Sequence, residues 1–114
     1  MVKVGIIGGG AAGIAAALEA SKNGAQVSLY EANPKLGRKL CATGSGRCNI
    51  TNLQAKAEKY SCRDRAVLKK ILMKYSPDKL MYFLKEVGIP TYATPDGWVY
   101  PLSNCASNVV AILE

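Results

Sequence analysis

The stretch "GIIGGGAAGIAAALEA", Gly5 to Ala20, constrains this chain more than any other passage. A short β-branched run, Val2 to Ile7, meets three glycines and then an alanine-rich segment of strong helix propensity. Gly24 closes that segment where a C′ residue belongs. "AQVSLYE", Ala25 to Glu31, reads as a second strand. Strand, helix and strand in this order make a βαβ unit with a right-handed crossover. The first strand is expected to be buried, as parallel strands usually are.

Gly8-Gly9-Gly10-Ala11-Ala12-Gly13 matches G-x-G-x-x-G, and it lies between a strand and a helix, where its mechanism needs it. Gly8 permits the tight turn, Gly10 admits a pyrophosphate against the backbone, and Gly13 lets helix and strand pack closely. The first N–H groups of the helix, from Ala11 onward, add positive dipole character for phosphates. Glu31 follows Gly13 by eighteen residues, at the position that hydrogen-bonds an adenosine ribose. A carboxylate there repels a 2′-phosphate, so the expected nucleotide is FAD or NAD rather than NADP. A ligand-free glycine turn beside a surface glutamate is the alternative. It requires strand, helix, strand and acid to fall into register by accident.

The 114 residues suit one domain, and the formal charge is +7. Eleven of the fifteen basic residues fall between Lys35 and Lys74, which suits either an anionic partner or a solvated basic face. Histidine is absent and the four cysteines form no C-x-x-C pair, so no metal site is expected. No apolar run approaches the ~20 residues of a membrane span. A reducing, cytoplasmic compartment is the expectation.

Further along, apolar Ala66, Val67, Ile71, Leu72 and Met73 among lysines predict an amphipathic helix over Arg63 to Tyr75. "SPDKLMYFLKEVG" predicts a second, capped by Ser76, with Pro77 at N1 and a stripe of Leu80, Phe83, Leu84 and Val87. "IPTYATPDGWVYP" predicts two short strands about a Pro-Asp-Gly turn. A last helix is expected to start with Ser103 or Asn104 as its cap.

"KLGRKLCATGSGRCNITN", Lys35 to Asn52, reads as a loop almost without hydrophobic periodicity. It lacks the P-loop pattern, and the absence of histidine removes a metal knuckle. Cys41 and Cys48 have six residues between them, where flavin disulfide reductases have four, yet a redox pair stays open as an alternative. A phosphate and flavin cradle fits better. Gly37, Gly44 and Gly46 permit positive φ, and Arg38, Lys39 and Arg47 neutralise phosphate. Ser45, Asn49, Thr51 and Asn52 offer hydrogen bonds to ribityl hydroxyls or ring heteroatoms. An ordinary solvated polar loop is the competing reading.

These three passages, "GIIGGGAAGIAAALEA", "EANPKLGRKLCATGSGRCNITN" and "GWVYPLSNCASNVV", resemble the N-terminal part of the BaiN/RdsA-like NAD(P)/FAD-dependent oxidoreductases, also described as aminoacetone-oxidase-family flavoproteins. The "GRK…G-x-GRCN-x-TN" block is the most specific part of that resemblance, which covers essentially the whole chain. It implies an α/β fold: a Rossmann-like FAD-binding βαβ unit followed by helices and a short β-hairpin, incomplete relative to the family. Gly8, Gly10, Ala12 and Gly13, with Ala11 between them, would meet the pyrophosphate, and Glu31 the ribose. Arg38 and Lys39 would flank the phosphates, while Gly46, Arg47, Cys48, Asn49 and Thr51 would line the flavin side. Where the family has G-R-V-F-P, this chain has Gly97-Trp98-Val99-Tyr100-Pro101, so an anionic contact there loses its arginine.

The resemblance further implies that residues 1–114 are the N-terminal part of an FAD/NAD(P)-binding domain, without the substrate domain and the C-terminal flavin-binding part. The isolated chain is accordingly expected to be unstable or inactive. The expected function is hydride transfer through the isoalloxazine of FAD, with a small-molecule substrate and NAD(P)H as partners. No nucleic acid, no membrane and no identified catalytic residue enter this expectation. A disulfide-reductase-like enzyme using Cys41 and Cys48, or a basic nucleic-acid-binding module over Lys35 to Lys74, are the other function classes. Only Tyr60 and Tyr75 lie near those basic residues as stacking partners.

Overall fold

The computed structural model describes residues 1–114. In chain order the elements are β1 (Lys3–Ile7), α1 (Ala11–Lys22), β2 (Gln26–Tyr30), α2 (Arg38–Ala42), β3 (Thr51–Asn52), α3 (Arg65–Lys74), α4 (Pro77–Glu86), β4 (Thr91–Ala93), β5 (Trp98–Pro101) and α5 (Ala106–Leu113). A short 3-10 turn occupies Ala57–Lys59, and Thr43–Gly46 forms a tight turn that is not helical at Gly44 and Ser45. The chain divides into two compact units. One comprises Met1–Cys48 with Cys105–Glu114, the other Asn49–Asn104.

In the first unit β1 and β2 pair in parallel, from Lys3 opposite Gln26 to Ile7 opposite Tyr30. α1 is the crossover between them and packs on both strands. Its Ile14 is buried, and Val4, Ile6, Val27 and Leu29 lie half-buried on alternate positions of the two strands. Asn23 caps α1, and Gly24 follows at φ +84°, the left-handed conformation a C′ glycine supplies. The other face of the pair is open, with Ile7 92% and Tyr30 63% exposed. The expectation of a buried β1 is therefore corrected. Two strands covered by one helix bury every second residue only, however apolar the run.

α5 packs on α2, where Val110 lies against Gly37. A Cβ on Gly37 would come 2.7 Å from Val110 Cγ2, and its φ is +65°, so both space and backbone require glycine here. α5 is capped by Cys105, without a side-chain hydrogen bond, and not by Ser103 or Asn104.

In the second unit three antiparallel strands lie in the order β3-β5-β4. The expected hairpin is thus the β4–β5 part of a larger sheet, with Tyr92 stacked on Tyr100 at 6.0 Å. Val99 and Pro101 point into the core with Leu84 and Ile89. Asn104 takes φ +48° and accepts the Tyr92 hydroxyl at 2.6 Å, which explains why it is no helix cap. α4 starts as expected, with Ser76 Oγ accepting the Lys79 N–H at 3.4 Å. α3 differs from expectation in its inner face. Leu68 is buried and Leu72 half-buried, one turn apart, whereas Val67, Ile71 and Met73 are exposed. No helix is long and apolar enough to cross a membrane.

Candidate functional site

The site begins where β1 ends. Gly8 takes φ +100° and donates its N–H to the Tyr30 carbonyl at 2.8 Å. Gly10 is the N-cap of α1 and contributes no side-chain hydrogen bond. The first helical bond runs from the Ile14 N–H to the Gly10 carbonyl at 2.9 Å. The N–H groups of Ala11, Ala12 and Gly13 therefore precede the ladder and remain for an anion. The glycines divide by what surrounds them. A Cβ on Gly13 would lie 1.8 Å from the Gly8 carbonyl oxygen, so Gly13 serves the turn itself. A Cβ on Gly10 would meet nothing within 4 Å, so no atom of the chain requires glycine there.

Glu31, just past β2, closes onto this turn. Its Oε2 accepts the Gly9 N–H at 2.6 Å. Its Oε1 accepts the Asn33 N–H at 2.9 Å and the Asn33 Nδ2 at 2.8 Å. These bonds, those from the Asn33 and Gly9 backbone foremost, hold the carboxyl below its ordinary pKa. Oε1 is saturated by its two donors, while Oε2 keeps one lone pair for a hydroxyl. Two residues of this arrangement, Gly9 and Asn33, escaped the sequence reading. The run of three glycines was the available signal. A Cβ on Gly9 would lie 2.3 Å from Leu36 Cδ2 and 3.0 Å from Glu31 Oε2.

The next loop is tied to the turn by the Gly37 N–H, which donates to the Gly9 carbonyl at 2.7 Å. This bond starts α2, and with it Arg38 and Lys39, beside the glycine turn. Arg38 Nη1 donates to Asn33 Oδ1 at 3.4 Å. An open cavity of about 750 Å3 lies alongside, lined by Asn33, Lys35, Arg38 and Cys41 and by Ser107 and Val110 of α5. Beyond α2 the backbone turns left-handed at Gly44 (φ +56°), Ser45 (+53°) and Gly46 (+85°), and again at Cys48 (+62°). Two of these are not glycine, and such strain gathers at ligand clamps. The passage expected to be a loop thus contains a five-residue helix and a tight left-handed turn.

Cys41 and Cys48 are both free thiols. Cys41 is exposed and Cys48 is 1% exposed. Burial pushes the Cys48 thiol up, only partly offset by the Thr43 hydroxyl. A buried thiol that resists ionisation is a poor nucleophile. No group of cysteines and carboxylates is arranged to hold a metal ion.

Asn49 and Thr51 lie in the second unit. Asn49 Nδ2 donates to the carbonyls of Thr51 and Val99, both at 3.3 Å. Thr51 pairs with Val99 across β3 and β5. Both line a groove of about 580 Å3 together with Gln54, Lys59, Tyr60 and Trp98. None of those last four stood among the expected cofactor-binding residues, although Lys59 and Tyr60 fall within the basic stretch weighed for nucleic acid.

Comparison with known proteins gives the family of this architecture. Residues 2–114 match the model described as the HI0933-like protein Rossmann domain. The chain is 37% identical, over its whole length, to a 3-dehydro-bile acid delta(4,6)-reductase of Clostridium scindens. It is 34% identical over 96% of its length to a ribosomal RNA dihydrouridine synthase of Haemophilus influenzae. The Escherichia coli protein of that same description is 30% identical over 95% of the chain. The chain spans 28%, 27% and 27% of these relatives respectively.

Proposed function

The chain belongs to the HI0933-like Rossmann-domain family, and from that premise we propose that residues 1–114 are the FAD-binding portion of a flavin-dependent oxidoreductase. The observation that carries this reading is the turn around Gly10. An uncapped helix start, a glycine with open space at its Cβ, and a carboxylate with a spare lone pair meet at the end of a parallel strand. Together they fit the pyrophosphate and ribose of a dinucleotide.

Gly8, Gly10, Ala11, Ala12 and Gly13 hold the phosphates in this reading, and Glu31 the ribose. Arg38 and Lys39 add positive charge beside them, and Gly46, Arg47, Cys48, Asn49 and Thr51 serve the flavin side. Bound FAD would supply the hydride chemistry, and no side chain here is assigned a catalytic role. The substrate class we infer is a molecule reduced across a carbon–carbon double bond. The names of the relatives, a delta(4,6)-reductase and dihydrouridine synthases, both describe that change. NAD(P)H is the proposed reductant, the cytoplasm the proposed compartment, and the 114 residues by themselves are proposed not to turn over substrate.

Titration of the purified protein with FAD, NAD and NADP tests the cofactor. FAD should bind most tightly, and NADP at least about tenfold more weakly than NAD, because Glu31 faces the 2′ position. Equal affinity for NAD and NADP would remove Glu31 from the ribose. An RNA substrate is a second reading, favoured by the names of two relatives and by seven basic residues between Lys56 and Lys74. Salt-dependent binding of single-stranded RNA that survives saturation with FAD would establish it.

A further inference from the structure

The outer side of α3 carries a pattern that the glycine turn does not explain. We propose that it is a docking surface for an anionic lipid bilayer, lying on the headgroups rather than crossing them. The proposal is independent of the flavin reading, and it departs from the expectation that no membrane enters the function. A surface contact needs no spanning helix, and none is present.

α3 is held to its unit along one side. Arg65 Nη2 donates to the Ala57 carbonyl at 2.7 Å, and Nη1 to the Tyr60 carbonyl at 2.8 Å. Leu68 and Leu72, one turn apart, turn inward, and the Ala57–Lys59 turn is the element that packs most on the helix. The next row round the helix is Val67, Ile71 and Tyr75, spaced by four residues and 49%, 50% and 62% exposed. Tyr75 still donates its N–H to the Ile71 carbonyl at 2.8 Å, so it continues that row. Beside it runs a second row, Lys70 and Lys74. Positions three and four apart are neighbours, so Val67, Lys70, Ile71 and Lys74 form one continuous face.

That face is unfavourable in water. Its aliphatic residues stay half hydrated, and its two lysines stand one turn apart with like charge. Lys70 and the adjoining Lys69 have no hydrogen bond or ion pair in the chain, and Lys74 Nζ lies 5.5 Å from the centre of the Tyr75 ring. Between Lys56 and Lys74 seven basic residues stand against two acidic ones, and one of those, Asp64, is engaged in capping the helix. An anionic interface relieves both costs together. The apolar row enters the acyl boundary, the lysine stems lie along it, and their ammonium groups reach the headgroups. Tyrosine suits that depth, with its ring in the apolar layer and its hydroxyl in the wet one. A second copy of this chain is repelled by the same charge. Nucleic acid would engage the cations but has no use for Val67 and Ile71, which offer no ring face to a base.

Flotation of the purified protein tests this. One set of vesicles is phosphatidylcholine alone, and the other has equal parts of phosphatidylcholine and phosphatidylglycerol. Binding to the anionic vesicles should exceed binding to the neutral ones at least about tenfold, and raised salt should weaken it. Lys70→Gln with Lys74→Gln should lower it about tenfold or more, and Lys70→Arg with Lys74→Arg should restore it. Val67→Ser with Ile71→Ser should also lower it about tenfold or more, with circular dichroism unchanged. In the wild type, hydrogen exchange should slow over Arg65 to Tyr75 on anionic vesicles and not on neutral ones. Equal binding to both vesicles, binding that the serine pair leaves intact, or protection confined to other segments overturns the proposal. Single-stranded RNA bound equally by the wild type and the serine pair, without flotation, assigns the surface to nucleic acid and overturns it too. FAD affinity should be unchanged in all these variants, so the glycine turn and this surface can each fail alone.

Discussion

Glu31 Oε2 accepts the backbone N–H of Gly9 at 2.6 Å, so the residue proposed to bind a ribose also fastens the glycine turn. The two roles separate by substitution. Glu31→Gln keeps an acceptor oxygen but loses the charge, and Glu31→Ala loses both. FAD affinity should fall several-fold in the first and about tenfold or more in the second. The melting temperature should fall in the same order. Unchanged stability in both variants would show that the bond to Gly9 does not brace the turn.

Acid pH gives a second handle on the same contact. The folded-state pKa of Glu31 is depressed, so its stabilisation is fully present above the ordinary glutamate value. It shrinks as the pH drops below that value and is gone once the pH has fallen through the depressed one. The stability gap between the wild type and Glu31→Gln should close over that acidic window. A gap that stays constant across it would mean the carboxylate gains nothing from its three donors.

Gly10 and Gly13 make opposite predictions. Alanine at 13 collides with the Gly8 carbonyl, a backbone atom that yields only if the turn moves. Gly13→Ala should cost about 1–3 kcal/mol of stability and lose FAD as a consequence. Gly10→Ala meets no atom of the chain and has an ordinary negative φ, so its unfolding midpoint should shift by a degree or two at most. Its FAD affinity should nevertheless fall about tenfold or more. Full affinity in Gly10→Ala would place the phosphates elsewhere.

The thiols sort by exposure and ionisation. Cys41 and Cys62 are exposed, whereas Cys48 is buried with its pKa raised. At mildly alkaline pH an alkylating reagent should modify Cys41 and Cys62 at least about tenfold faster than Cys48. Mass mapping of the labelled peptides reads this directly. Rapid labelling of Cys48, or a Cys41–Cys48 disulfide that exchanges electrons with flavin, would restore the disulfide-reductase reading.

Local signals were legible in the sequence. β1, α1 and β2 lie within a residue or two of their expected bounds because propensity, periodicity and the closing Gly24 agree. α4 followed from Ser76, Pro77 and its apolar stripe. What depends on distant partners was not legible. β3 exists because Thr51 and Asn52 meet Val99 and Trp98, nearly fifty residues on. α2 spans five residues, too few for a periodic pattern, and is anchored by the Gly37–Gly9 bond. The position of Glu31 just past β2 could be read from its spacing, but not its grip on Gly9. The Trp98 groove joins two separated segments, so the motif that holds Asn49, Thr51 and Asn52 could be read but not its meeting with Trp98.

An absorbance spectrum of the purified protein tests the central claim most directly. The account predicts flavin bands near roughly 370 and 450 nm. FAD should be released intact on denaturation, and both the bands and the FAD should be lost in Gly10→Ala at concentrations where the wild type is saturated. A colourless protein that takes up no FAD on reconstitution, or one whose flavin content is indifferent to Gly10→Ala, would contradict it.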